Sequence, residues 1–148
     1  MANPFHFPLF VDLHGKKAVV VGGGTIACRR IGVLLDFGAS VTVIAPELKE
    51  PFADITWEKR PYAPGDLADA FLAVAATDDR DVNRAAGEEA RGLGIPISVA
   101  DCREECTFYF PAVCIGNQVV AGLVSQGDGH AKTAKAAKAV RHTLEGLE

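Results

Sequence analysis

Residues 16–24 read KKAVVVGGG, and the next fourteen read TIACRRIGVLLDFG. A β-branched apolar run that stops on three glycines and passes at once into an amphipathic stretch leaves few folds open. The run has no polar alternation, which marks a strand buried on both faces. The stretch 25–38 places apolar residues at 26, 27, 31, 34 and 35 and stops on Gly38, as a helix does. SVTVIAP (40–46) is a second buried strand. Strand, glycine turn, helix and strand in that order make a βαβ unit.

The same rhythm continues. DITWEK (54–59) reads as a short strand, and Gly65-Asp66 as the opening of a helix turn capped by the aspartate. FLAVAAT (71–77) is a buried strand, DRDVNRAAGEEARGLG (79–94) a polar-faced helix ending on glycine, and IPISVAD (95–101) a further strand. Alternation of this kind predicts an α/β fold: a Rossmann-type parallel sheet with helices on both faces. After about residue 101 the pattern changes. TFYFPAVCI (107–115) and QVVAGLVS (118–125), joined through Gly116-Asn117, read as a β-hairpin, and 130–145 as a C-terminal helix. The expected division is therefore 1–105 for the nucleotide-binding part and 106–148 for a hairpin-plus-helix extension serving dimerisation or substrate.

Composition narrows the function classes. The 148 residues are one domain's worth, and 49% hydrophobic content supports a packed core. A net charge of −4 disfavours general nucleic-acid binding. The longest apolar runs are too short to span a bilayer, so no membrane role is expected. The first thirteen residues carry Pro4 and Pro8 and no basic region, unlike a secretion signal, which points to a cytoplasmic setting. Four cysteines in such a setting are free thiols or metal ligands rather than a disulfide framework.

Gly22-Gly23-Gly24-Thr25-Ile26-Ala27 fits G-x-G-x-x-A. Gly22 allows the tight turn, Gly24 lets a phosphate approach the backbone, and a small residue at 27 lets helix and strand pack closely. The helix N-terminus then faces the phosphates. The alternative is a bare strand-to-helix corner, but the flanking strands supply the context that a dinucleotide site requires. Glu47, just after Pro46 at the end of the second strand, is placed to hold ribose hydroxyls. No arginine sits there, which favours NAD over NADP. Arg29 and Arg30 read as solvated or capping charges. Thr77 and Asp78 end the third buried strand, where parallel sheets place ligands; equally, either residue can cap the helix that follows. Asp101 ends the next strand on the same edge. It is either a turn aspartate or the carboxylate that takes a proton while hydride passes to NAD.

Cys102, Cys106 and Cys114 with His130 match no standard metal spacing, and small packed thiols are the plainer reading. No metal site is therefore expected. Lys132, Lys135, Lys138 and Arg141 form one broad basic helix face, either a solvated surface or a funnel for an anionic substrate. Ala134, Ala137, Val140 and Leu144 make its packing face.

Three stretches together resemble a known family: PLFVDLHGKKAVVVGGGTIACRRIGVLLDFGASVTVIAP (8–46), AVAATDDRDVNRAAGEEAR (73–91), and ISVAD followed by FYFPAV. They are similar to the NAD-dependent precorrin-2 dehydrogenases, which stand alone or form the N-terminal module of siroheme synthase. The resemblance implies oxidation of precorrin-2 to sirohydrochlorin with NAD, a tetrapyrrole substrate and a homodimer. It places Thr25, Ile26, Pro46 and Glu47 against NAD and makes Asp101 the catalytic carboxylate. Some members also insert iron, so a sirohydrochlorin chelatase stands as an alternative, and a non-catalytic NAD- or tetrapyrrole-binding protein as another. Ser98 stands where the family usually has asparagine, Arg103 where it often has proline, and His130-Ala131 where it has serine-proline. Ser98, His130 and Lys132 are the candidate substrate contacts. Members typically continue for about fifty more residues of helix, whereas this sequence ends at Glu148, which leaves substrate identity more open than cofactor identity.

Overall fold

The structure is a computed structural model that describes residues 5–127 and 129–147. Five strands, β1 (Lys17–Val21), β2 (Ser40–Ile44), β3 (Ile55–Glu58), β4 (Leu72–Ala75) and β5 (Ile97–Val99), form one parallel sheet in the order β3-β2-β1-β4-β5. Helix α1 (Thr25–Asp36) joins β1 to β2, and α2 (Arg80–Leu93) joins β4 to β5. These two crossovers travel in opposite directions from the centre of the sheet. Right-handed connections therefore set α1 and α2 on opposite faces, as the sequence pattern predicts.

Packing shows the two faces. Val19, Val21, Ile44, Ala73, Ala75, Ile97 and Val99 pack with Ala86 and Ala90 of α2 in one cluster. Their strand neighbours Ala18, Val20, Val41, Val43 and Val74 point the other way, where α1 buries Ala27, Cys28, Ile31 and Leu34. No residue from Ala18 to Val21 exceeds 1% exposure, which is why the run is apolar without alternation.

Two expectations are corrected. Gly65-Asp66 opens no helix. Residues 64–69 are successive turns, with Ala63, Gly65 and Leu67 carbonyls each accepting from the amide three residues on. The Asp66 carboxylate bonds back to the Ala63 amide and pairs with Arg60, whose guanidinium pulls it below the usual carboxylate range. The hairpin turn is one residue later than expected. Strands β6 (Ala112–Gly116) and β7 (Val119–Leu123) are joined by Asn117-Gln118, with φ of 48° and 65°, the two positive values of a type I′ turn.

The chain divides into two compact units. Asp12–Tyr109 holds the parallel sheet, α1 and α2. The other holds β6, β7 and α3 (His130–Glu145), where Cys114, Ala137 and Leu144 form a small core with Val140 against it. Ala134, assigned to the same packing face, is exposed.

Candidate functional site

The strand order reverses between β1 and β4, and ligands of such sheets sit in the crevice beyond the carboxyl ends at that point. A cleft of about 960 Å³ opens there. Its floor is Gly22-Gly23-Gly24, one wall is Pro46–Lys49 with Trp57 and Lys59, and the other is Ala76–Asp79.

The three glycines do different work. Gly22 has φ +124°, and a Cβ on it would lie 2.3 Å from the Ala76 carbonyl oxygen. A Cβ on Gly23 would lie 2.0 Å from the Glu47 carbonyl oxygen. These two let the β1, β2 and β4 ends close on one another. Gly24 has nothing within 4 Å of its Cβ direction, the open approach that a diphosphate needs. The loop after β2 is fastened to this turn: the Lys49 amide donates to the Gly23 carbonyl at 2.8 Å, and Lys49 Nζ donates to Thr25 Oγ1 at 2.7 Å.

Of the candidate cofactor residues, Gly22, Gly24, Pro46, Glu47, Thr77 and Asp78 line the cleft. Thr25 and Ile26 follow directly as the first residues of α1, both exposed. Thr77 is held from behind by Asn83, which sequence reading missed. The Thr77 amide and hydroxyl donate to Asn83 Oδ1 at 3.0 and 2.7 Å, and Asn83 Nδ2 donates to the Thr77 carbonyl at 3.0 Å. Asn83 is fully buried, so it acts as a post for the β4–α2 turn. The cap of α2 is neither Thr77 nor Asp78 but Asp79, whose Oδ1 accepts from the Asp81 and Val82 amides at 2.9 and 3.4 Å.

Asp101 stands at the same edge. Ala75 pairs with Val99, so Thr77 and Asp101 are each two residues beyond paired positions on adjacent strands. Arg80 Nη1 donates to Asp101 Oδ1 at 2.5 Å, and Arg80 Nη2 pairs with Glu105, whose carboxylate raises the guanidinium's pKa. Arg80 directly follows the cleft residue Asp79, so it couples Asp101 to the cleft wall.

The expected substrate residues fare differently. Ser98 is 2% exposed and its Oγ accepts from Arg30 Nη1 at 3.1 Å. Arg30 is accordingly no solvated charge, and burial lowers its pKa. His130 and Lys132 are exposed at the start of α3, in the other compact unit. Cys106 packs against the sheet core, where burial raises its thiol pKa, and its Sγ bonds the Val99 amide and carbonyl. Among the described residues, no three His, Cys, Asp or Glu side chains gather as a metal site. Nor is any helix among them long and apolar enough to cross a membrane.

Trp57, Lys49 and Lys59 were also missed as cleft residues. Trp57 is fixed by its Nε1 donating to the Ala45 carbonyl at 2.9 Å, with Lys59 Nζ 5.7 Å from its ring centroid. Both it and Lys59 lie on or beside β3, a strand whose position beside β2 the sequence does not state.

Residues 9–112 match a family described as "Putative NAD(P)-binding". The chain belongs to this NAD(P)-binding family. The glycine floor, open at Gly24 and closed at Gly22 and Gly23, fits a dinucleotide. The chain is 45% identical over 142 residues to the "Probable multifunctional siroheme biosynthesis protein HemA" of Ruminiclostridium josui, covering 91% of this chain and 28% of that protein. It is 40% identical over 126 residues to the siroheme synthase of Methylobacillus flagellatus, covering 81% of this chain and 27% of that protein. The chain thus spans little more than a quarter of the length of these relatives. In fold it is similar to the solved structure of "SirC, precorrin-2 dehydrogenase", with a TM-score of 0.73 at 24% identity, covering 93% of this chain and 71% of that one.

Proposed function

We propose that this protein acts in siroheme biosynthesis as an NAD-dependent dehydrogenase that oxidises precorrin-2 to sirohydrochlorin. The observation that carries the reading is Asp101, joined through Arg80 to a dinucleotide cleft in a chain whose relatives are siroheme enzymes. NAD, when bound, supplies the hydride acceptor. The protein's own part is to bind, orient and move a proton. Gly22, Gly24, Thr25, Ile26, Pro46, Glu47, Thr77 and Asp78 hold the cofactor. Glu47 takes the ribose hydroxyls, which favours NAD over its 2′-phosphorylated form. Arg80 and Glu105 orient Asp101, which accepts a proton from the tetrapyrrole as hydride leaves its carbon. The proposal extends to a homodimer, supported by the exposed apolar side chains of Ile115, Val119 and Val124 in the second unit.

The test is anaerobic incubation with precorrin-2 and NAD, following NADH absorbance and the sirohydrochlorin spectrum together. Both rise for the intact protein, and Asp101→Asn slows them at least about a hundredfold, the range of general acid–base catalysis. NAD binding without turnover would overturn the dehydrogenase reading in favour of a binding protein. Iron insertion in the absence of NAD as the sole activity would overturn it in favour of a chelatase.

A further inference from the structure

We propose that Lys49 is a diphosphate clamp: its ammonium group, parked on Thr25 at the start of α1, binds the diphosphate bridge of the dinucleotide. The inference rests on the cleft being the NAD(P) site.

Helix α1 begins in a way that stability alone does not favour. Its N-cap, Gly24, supplies no side-chain acceptor, and its first turn holds no acid. The unpaired amides there carry a partial positive charge. Into this positive field the fold brings a cation, with Lys49 Nζ 2.7 Å from Thr25 Oγ1. Among the described residues Lys49 has no ion-pair partner. A cation at a helix N-terminus is unfavourable until an anion arrives between them. Lys49 lines the cleft beside Gly24, the side of the floor left open.

Fastening the loop is no sufficient reason for this side chain. The Lys49 backbone amide already bonds the Gly23 carbonyl, and Gly23 admits the Glu47 carbonyl against it. Both contacts persist whatever the side chain is. The Thr25 hydroxyl takes one ammonium proton, and two remain for phosphate oxygens. The lysine lies three residues beyond Pro46, outside the window at the end of β2 where ribose recognition is sought. It answers a different part of the ligand, the diphosphate rather than the ribose.

The experiment is binding of NAD+, ADP-ribose and adenosine to the full chain and to Lys49→Met and Lys49→Arg, by calorimetry for the first two and NMR line shifts for adenosine. Losing one charge-assisted hydrogen bond weakens binding of NAD+ and ADP-ribose about tenfold in Lys49→Met. Adenosine, which lacks the diphosphate, binds Lys49→Met as it binds the parent, and Lys49→Arg keeps most of the dinucleotide affinity. Increasing salt weakens NAD+ binding less in Lys49→Met than in the parent. Unchanged NAD+ affinity in Lys49→Met would overturn the clamp while leaving the cleft intact. Equal losses for NAD+ and adenosine would also overturn it, showing a loop fastener. A parent protein that binds neither NAD+ nor NADP+ would overturn the clamp together with the dinucleotide reading of the cleft.

Discussion

Helices α1 and α2 start from adjacent parallel strands at one edge of the sheet, yet their first turns are built differently. α2 satisfies itself. Asp79 accepts from two of its amides, Asp81 adds a negative charge to its first turn, and Asn83 anchors the preceding strand end. α1 has a glycine cap and no acid in its first turn, and its first residue, Thr25, accepts from the Lys49 ammonium group. The same four unpaired amides exist at each start. In α2 the Asp79 carboxylate takes two of them; in α1 the cap offers no side-chain acceptor, and on our proposal a ligand takes that place. On that proposal the difference separates an element that stabilises the fold from one whose charges are completed on binding.

The comparison breaks most visibly at the glycines. Gly23→Ala places a methyl 2.0 Å from the Glu47 carbonyl, and two backbones cannot both stay. We expect a loss of about 3 kcal/mol or more in denaturant unfolding, with dinucleotide binding gone. Gly24→Ala meets nothing within 4 Å, and its φ of −84° suits alanine. Its stability changes by no more than about 1 kcal/mol, while NAD+ affinity falls more than tenfold because the methyl fills the phosphate approach. Equal destabilisation by both substitutions would show that Gly24 is only a corner.

A smaller effect tests the self-sufficient side. Asp79→Ala removes the side-chain acceptor for the Asp81 and Val82 amides. Stability should fall by about 1 kcal/mol and the affinity for NAD+ by less than threefold, measured by urea unfolding and calorimetry. A loss of binding larger than the loss of stability explains would move Asp79 from the scaffold to the ligand.

Periodicity carried the sequence reading as far as local order reaches. Seven strands and three helices were legible because each is a run of one period, and Gly22–Ala27 because its context is contiguous. Gly65-Asp66 was misread as the opening of a helix turn because the order there comes from elsewhere. Glu89 of α2 accepts from Tyr62 Oη and from the Gly65 and Leu67 amides, and these tertiary bonds hold turns where local signals suggested a helix. The site was legible in the same proportion. Asp101 and Thr77 lie at strand ends, which pattern locates. Asn83, Arg80, Glu105, Trp57 and Lys49 are placed by contacts that only the folded chain creates, and strand alternation alone does not reveal that Arg30 bonds the buried Ser98.

The subtlest change makes α1 resemble α2. Thr25→Asp puts a carboxylate at the first residue of α1, beside Lys49 and the positive end of the helix. Thr25 is exposed and close in size to aspartate, so packing is little disturbed. The dipole and the new ion pair should together raise stability by about 0.5 kcal/mol, seen as a small increase in urea midpoint with unchanged slope. That gain is strongest at low salt and disappears on acidification below the carboxylate range, where the new group is protonated. The same carboxylate occupies the place kept for the diphosphate, so NAD+ affinity falls as stability rises. Opposite signs for the two quantities are what a helix start reserved for an anion requires. Should both fall together, the bare start of α1 would be a tolerated imperfection of the fold rather than a reserved site.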